Sequence, residues 1–253
     1  MTPAKNKTVL ITGAGGQVGL SFLDLQHLFP QINFLFTERS ILNITDVKSI
    51  ELFFKHNEID FCVNCAAYTA VDKAEQDKLI AEEVNSTAPG YLAKACKAHN
   101  AALIHISTDY VFNGKADIPY KPDDKTDPIN FYGYTKLQGE KNILLEYDQS
   151  VIIRTAWVYS NYGHNFLKTM KRLMHEKETM GIVNDQYGSP TYAGDIAAAI
   201  MQIINTDKFV PGIYHYTNAG ITTWFGFAKE IAKLLGTKCV VNPISTIDFP
   251  TPA

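Results

Sequence analysis

Hydrophobic and polar positions follow two periods through the first part of the chain. Short apolar runs at 8–12, 33–37, 61–65, 102–107 and 151–155 have the length and character of buried strands. Between them, apolar residues recur every three or four positions over 17–29, 46–57, 78–100 and 132–146, the period of helices packed on one side. Strands that alternate with helices in this way predict βαβ units, hence an α/β fold on a doubly wound parallel sheet of the Rossmann type. Beyond Thr155 the pattern loosens. Aromatic and polar residues mix over 157–165, a helical stretch covers 166–176, Gly188-Ser189-Pro190-Thr191 breaks the chain, and helical periods return at 194–204 and 224–235. The expected organisation is a larger unit of residues 1–155 joined by about 185–205, and a smaller C-terminal cap of about 156–184 and 206–253.

Composition narrows the partners. A chain of 253 residues, 46% of them hydrophobic, can bury the core that such a sheet requires. A formal net charge of −3, with no block of like charges, offers no footprint for nucleic acid or an anionic membrane. Met1-Thr2-Pro3-Ala4-Lys5 has a basic start, but the apolar stretch behind it is cut short at Thr12 and Gly13, so no secretion signal is expected. The densest apolar segment, 197–204, falls far short of the roughly 18 residues of a membrane span and contains Gln202. A cytoplasmic protein with a small-molecule partner is expected. Cys62 and Cys65 form a Cys-x-x-Cys pair, but in a strand that spacing sends the side chains to opposite faces, so neither redox nor metal chemistry is expected of them.

Candidate chemistry begins at Gly13-Ala14-Gly15-Gly16-Gln17-Val18-Gly19, between a predicted strand and a predicted helix. Glycines there allow a tight turn and let backbone approach a pyrophosphate, which sits against the positive end of the helix. Glu38 follows at about the 20-residue distance where a ribose-binding acid is expected. The larger unit is therefore predicted to bind a nucleotide. A second candidate is Tyr132-Gly133-Tyr134-Thr135-Lys136. Residues four apart share a helix face, so the Lys136 ammonium is expected to approach the Tyr132 phenol, lower its pKa and make it a proton donor near neutral pH. Thr108, in Ser107-Thr108-Asp109-Tyr110, is placed at the C-terminal end of a predicted central strand, the edge where open α/β sheets bind ligands. Its hydroxyl can hold a substrate oxygen while Tyr132 protonates it. Ordinary packing explains each residue alone; together, in this order, they point to a reductase. A long proline-stiffened loop between Val111 and Asn130 lies between the two candidates and is expected to be functional. The seven histidines are scattered; His105 reads as a structural residue of its strand and His215 as packing in the cap.

With these residues in place, the chain resembles the extended short-chain dehydrogenases/reductases, and among them the dTDP-4-dehydrorhamnose reductase family. The similarity runs nearly the whole length. It covers 13–19, CAAYTAVDKAE at 65–75, Val84-Asn85, ISTDYVFNG at 106–114, YGYTKLQGE at 132–140, RTAWVYS at 154–160, DQYGSPT at 185–191 and YHYTN at 214–218. The resemblance implies NADPH or NADH as cofactor and a dTDP-sugar as substrate. The implied reaction is hydride transfer to C4 of dTDP-4-dehydro-L-rhamnose, giving dTDP-L-rhamnose. It implies a NAD(P)-binding domain in the larger unit, with Gly13, Gly16, Gln17, Val18 and Gly19 at the pyrophosphate, and Asn43 and Ile44 beside the adenine. Ala66, Ala67, Tyr68 and Thr69 would flank the ribose and nicotinamide. Tyr132 is the implied proton donor, and Lys136 holds the nicotinamide ribose and tunes Tyr132. Thr108 and Asp109 contact the sugar near its keto group, Trp157 touches it from the cap, and Thr69 and Val71 are further substrate contacts.

Several positions depart from the family pattern. Asn43 stands where Asp is usual, although its amide oxygen can still accept from the adenine amino group. Glu38 suits the free ribose hydroxyl of NADH and Arg39 the extra phosphate of NADPH, which leaves the choice of cofactor open. Some members bridge a dimer through magnesium; Gln17 has no charge to offer, so no metal is expected and a homodimer is left open. The chain stops at Phe249-Pro250-Thr251-Pro252-Ala253, where the family continues, so a C-terminal tail is expected beyond it. Two other readings share the scaffold. An NDP-sugar epimerase or dehydratase is disfavoured because dehydratases carry an acid pair where Thr108 is followed by Asp109-Tyr110. Against a non-catalytic binding protein, like the regulatory subunit of methionine adenosyltransferase, stand the intact Thr108, Tyr132 and Lys136.

Overall fold

A run of parallel strands needs both faces covered, and the apolar side chains of this chain sort accordingly. The computed structural model describes residues 6–206 and 208–253; residues 1–5, read above against a secretion signal, lie outside them. Strands β1 (Lys7–Thr12), β2 (Ile32–Thr37), β3 (Phe61–Asn64), β4 (Ala102–Thr108), β5 (Val151–Thr155) and β6 (Gly212–His215) form one sheet in the order β6-β5-β4-β3-β1-β2. Every adjacent pair is parallel. Leu10, Cys62, Leu103 and Ile152 face one apolar cluster; Val9, Ile11, Val63, Ile104 and Ile153 face the other.

Among the described residues, seven longer helices accompany the strands: α1 (Gln17–Leu25), α2 (Val47–His56), α3 (Ala88–Ala98), α4 (Phe131–Glu146), α5 (Phe166–Glu176), α6 (Ala193–Asn205) and α7 (Trp224–Leu235). α2, α3 and α4 close the first face through Ile50, Phe54, Leu92 and Ile143, while α1 and α6 close the second through Phe22, Ile196 and Ile200. The sheet is thus doubly wound. Cys62 lies in the first cluster and Cys65 packs against the second, and both are free thiols.

The helix expected over 78–100 is broken. Lys78–Glu82 is α-helical, Glu83–Thr87 is a π-helical turn, and α3 starts anew with Pro89 in its first turn. Proline has no N–H to give the preceding turn, and the wide π turn swings Asn85 inward, its carbonyl against Gly139 of α4.

The segment 206–253, assigned above to the cap, is split by the structure: β6 pairs with β5 and completes the edge of the large sheet. The residues from Trp224 to Val241 join α5. Strands Thr179–Val183 and Val240–Ile244 pair in parallel, and α5 and α7 pack a separate core of Met170, Met174, Met180, Ile182, Ala228 and Ile231. Side-chain caps set the helix starts here: Asn165 accepts from Lys168 N, and Thr223 from Gly226 N.

Candidate active site

In the strand order β2-β1-β3, the chain leaves β1 in one direction and returns on its other side, and the crevice at such a switch is where doubly wound sheets take ligands. The turns after β1 and β3 touch there. Gly13 has φ +63°, and a Cβ on it would lie 2.6 Å from the backbone N and Cα of Ala66. A Cβ on Gly15 would lie 2.7 Å from Glu38 Oε1, so the carboxylate rests on the turn. A Cβ on Gly19 would come within 2.5 Å of Ala14 Cα, which is how α1 packs onto its own turn. Gly16 opens α1 in an extended conformation with no side-chain cap, leaving the amide groups of Gln17, Val18 and Gly19 without one. A bare turn, an uncapped helix start and a carboxylate at the end of β2 fit a dinucleotide.

The other residues expected around the cofactor differ in placement. Arg39 is exposed beside Glu38, Val18 packs against the apolar cluster on its face, and Ile44 is buried in the opposite one. Asn43 Oδ1 accepts from Thr45 Oγ1 at 3.0 Å and from Thr45 N at 3.3 Å, so the oxygen expected to meet adenine already has local partners. The Gln17 side chain is held by partners from the C-terminal half. Its Oε1 accepts from Ser160 Oγ at 3.0 Å and Asn165 Nδ2 at 2.8 Å, tying the start of α1 to the chain that leads into α5.

At the end of β4, Thr108 Oγ1 donates to Asp109 Oδ1 at 3.0 Å and accepts from Tyr110 N at 3.2 Å. Burial lifts the Asp109 carboxyl to about 6 against the pull of those hydrogen bonds. Tyr132, in the first turn of α4, is 9% exposed and meets Tyr110 edge-on at 5.6 Å. Burial pushes its phenol well above the usual tyrosine range; Thr108 pulls back, and Asp109 and Tyr110 push further. The expected lowering by Lys136 is therefore corrected. Although Lys136 lies one turn along, its Nζ bends back to the strand, donating to the Ile106 carbonyl at 2.7 Å and meeting His105 Nε2 at 3.1 Å.

Helix α4 buries polar as well as apolar residues, and each polar group meets a partner. Glu140 accepts from Arg154 Nε at 2.9 Å and Nη2 at 2.7 Å, and from Ser107 Oγ at 2.5 Å. Arg154 also donates to the Pro122 carbonyl at 3.1 Å, which pins the long loop after Val111 to β5. After β3, Asn85 holds the turn: its Oδ1 accepts from Tyr68 N, and its Nδ2 donates to Tyr68 O and to Thr135 Oγ1. Ala66 and Ala67 lie half-buried in this turn and Thr69 is exposed. Val71 packs with Tyr68, Ala74 and Tyr132. Trp157 has φ +47° and stacks on Trp224 with ring centroids 3.5 Å apart, its indole lying over Gly188.

The structure thus gathers Thr108, Asp109, Tyr132, Val71 and the turns at 13–19 and 66–69 about one crevice. Asn64, Asn85, His105, Glu140 and Arg154 lie beneath it; the sequence reading took His105 as structural and gave none of the five a role at the site. Their signal was polarity at positions whose period placed them in the core. Among the described residues, no group of three or more His, Cys, Asp or Glu is placed to hold a metal, and no helix is long and apolar enough to cross a membrane.

A glycine turn at the switch point, with a threonine at a strand end and a Tyr-x-x-x-Lys helix beside it, defines an extended short-chain dehydrogenase/reductase. The chain belongs to the dTDP-4-dehydrorhamnose reductase family: residues 7–253 match the family model described as RmlD substrate binding domain. It is 42% identical over 258 residues to the dTDP-4-dehydrorhamnose reductase of Aggregatibacter actinomycetemcomitans, covering 96% of this chain and 86% of that one. Its fold is similar to that of a dTDP-4-dehydrorhamnose reductase from Clostridium acetobutylicum, with TM-score 0.93 and 38% identity over 97% of this chain and 86% of the other. The enzyme from Bacillus anthracis, solved in complex with NADP, has TM-score 0.93 and 36% identity over 98% of this chain and 87% of its own.

Proposed function

We propose that this protein reduces the C4 keto group of dTDP-4-dehydro-L-rhamnose to dTDP-L-rhamnose, using NADPH or NADH. The observation that carries the reading is the Tyr132 phenol, kept protonated by burial and set beside Thr108 at the end of β4. The reduced nicotinamide, when bound, supplies the hydride. Tyr132 gives its proton to the oxygen as alkoxide charge develops there. Thr108 exchanges its bond to Asp109 for a bond to that same oxygen.

The backbone of Gly13, Gly16, Gln17, Val18 and Gly19 holds the pyrophosphate, with Glu38 on the ribose hydroxyls and Arg39 on a 2′-phosphate. Ala66, Ala67, Tyr68 and Thr69 line the ribose and nicotinamide side. Thr69, Val71, Asp109 and Trp157 hold the sugar. The cofactor domain comprises residues 1–155, about 185–205 and β6, and the remainder of the chain caps the substrate. The work is done in the cytoplasm, without nucleic acid or membrane as partner.

Purified protein supplied with dTDP-4-dehydro-L-rhamnose should oxidise one or both reduced nicotinamides, and the ratio of rates reports how Glu38 and Arg39 divide them. Tyr132→Phe should lower turnover by roughly a thousandfold, with nucleotide binding retained. Wild-type turnover in that variant removes Tyr132 from its role. No turnover in the wild-type protein with nucleotide bound removes the reading itself.

A further inference from the structure

Gln17 belongs to the glycine turn, yet among the described residues the hydrogen-bond partners of its side chain all come from beyond β5. One backbone amide fixes which end of the Gln17 amide faces which partner. The Lys168 N–H can only donate, and it reaches Asn165 Oδ1 at 3.0 Å, so Asn165 Nδ2 is a donor. Nδ2 reaches Gln17 at 2.8 Å, which makes the Gln17 atom there the accepting Oε1. Ser160 Oγ, in a residue 1% exposed, donates to the same oxygen at 3.0 Å, and Gln17 Nε2 faces the Val158 carbonyl at 3.5 Å. The stem is engaged as well: Gly163 has φ +59°, and a Cβ on it would lie 3.3 Å from Gln17 Cγ. A second tie runs alongside, where the Tyr162 hydroxyl donates to the Asp24 carboxylate of α1 at 2.7 Å.

The gripped segment, 158–165, follows Trp157 directly and ends at Asn165, the cap of α5. It also holds itself together. Ser160 Oγ accepts from Tyr162 N at 3.0 Å, and Asn165 Nδ2 donates to the carbonyls of Ser160 and Tyr162 at 2.9 and 3.1 Å. Removing the Gln17 amide therefore leaves the segment its own turn and takes away its attachment to α1. We propose that Gln17 is a positioning residue for the sugar: its backbone serves the nucleotide, while its side chain seats the segment that joins Trp157 to α5 against the cofactor turn. The inference rests on the reading that Trp157 and the smaller unit hold a dTDP-sugar. With the tie gone, the sugar must itself order the segment when it binds. That cost appears in KM, whereas the bound geometry, and with it kcat, is kept.

Gln17→Met keeps the backbone amide and an unbranched stem but has no amide oxygen to accept from Ser160 and Asn165. In the whole protein, KM for dTDP-4-dehydro-L-rhamnose should rise by about tenfold and kcat should fall by less than about threefold. The dissociation constant of the reduced nicotinamide, read by its fluorescence, should change by less than about twofold. A weakened nucleotide with an unmoved sugar KM overturns the proposal, because the side chain then serves the cofactor. Should Gln17→Met fail to fold, Ser160→Ala cuts the same tie from its far side, outside the glycine turn, and should raise the sugar KM likewise. Amide hydrogen exchange of the protein without ligands gives a second readout. Exchange over 158–165 should quicken by about tenfold or more in Gln17→Met, with α7 unchanged, and unaltered exchange in the segment also overturns the proposal. Exchange needs no sugar, so failure of the sugar-reduction reading, seen as no turnover in the wild-type protein, is separately visible from failure of this one.

Discussion

The C-terminal edge of the large sheet and the core of the smaller unit are built from opposite materials. At the edge, Asn64, Ser107, Lys136, Glu140 and Arg154 are buried polar residues joined by hydrogen bonds of 2.5–3.1 Å. The smaller unit is packed with Met170, Met174, Met180 and Ile182, and Trp157 and Trp224 stack beside it. A buried polar atom needs one particular partner at one distance, and losing it costs the full desolvation penalty. Thioethers and aromatic faces keep most of their contact energy through small shifts. The contrast separates two behaviours: the edge holds charges and protons in place, and the smaller unit can adjust its shape.

Substitutions at the edge should therefore be severe and specific, and those in the smaller core mild. Arg154→Met should have the largest effect on stability, because it strands the Glu140 carboxylate in the interior. A loss of about 3–5 kcal/mol in urea unfolding is expected, and an unchanged midpoint would show the pair to be dispensable. Thr108→Val keeps the shape but removes the hydroxyl proposed to meet the reacting oxygen and, with it, the partner of Asp109 and Tyr110 N; stability should fall by about 1–3 kcal/mol and kcat by roughly a hundredfold in the protein that remains folded. An unchanged kcat in the folded fraction would assign Thr108 to the framework.

Asp109→Asn tests the edge by pH. The folded carboxyl titrates at about 6, above its ordinary 3.8, so the folded protein binds this proton more tightly than the unfolded chain does. Wild-type stability is then lost as pH rises from about 4 to about 6, while the asparagine variant is spared. Its advantage should open through that window and level off above about pH 7, at roughly 1–3 kcal/mol. A difference that is flat with pH would mean the carboxyl is not raised. Met174→Leu in the smaller core should cost least, under about 1.5 kcal/mol by thermal unfolding with kcat unchanged. A larger loss would place that core among the rigid parts of the molecule.

Much of the architecture is legible in periodicity. The strand at Val151–Thr155 and the helices at Phe166–Glu176 and Trp224–Leu235 have the ends that the pattern predicts, because the apolar period and the caps act locally. The break at Glu83–Thr87 was hidden: no local signal announces a π turn, which is held by the distant contacts of Asn85 with Tyr68 and Thr135. β6 was assigned to the wrong body because Gly212–His215 has the same half-apolar character whether it joins a large sheet or a small one. At the site, the types and order of Thr108, Tyr132 and Lys136 were readable, but the partners of Lys136 and Gln17 were not. Helical spacing says which residues share a face, not where a long side chain ends.

By itself, the sequence determined the alternation of strands and helices, the glycine turn behind β1 and the reductase-like set of side chains, since propensity, period and turn chemistry act over a few residues. Only the tertiary structure decided that Lys136 turns to His105 and Ile106, that Gln17 reaches Ser160 and Asn165, and that Glu140 pairs with Arg154. Those pairings join residues far apart in the chain. Burial removes the water that would otherwise satisfy them, and each group bonds to whichever partner the packed elements bring within reach.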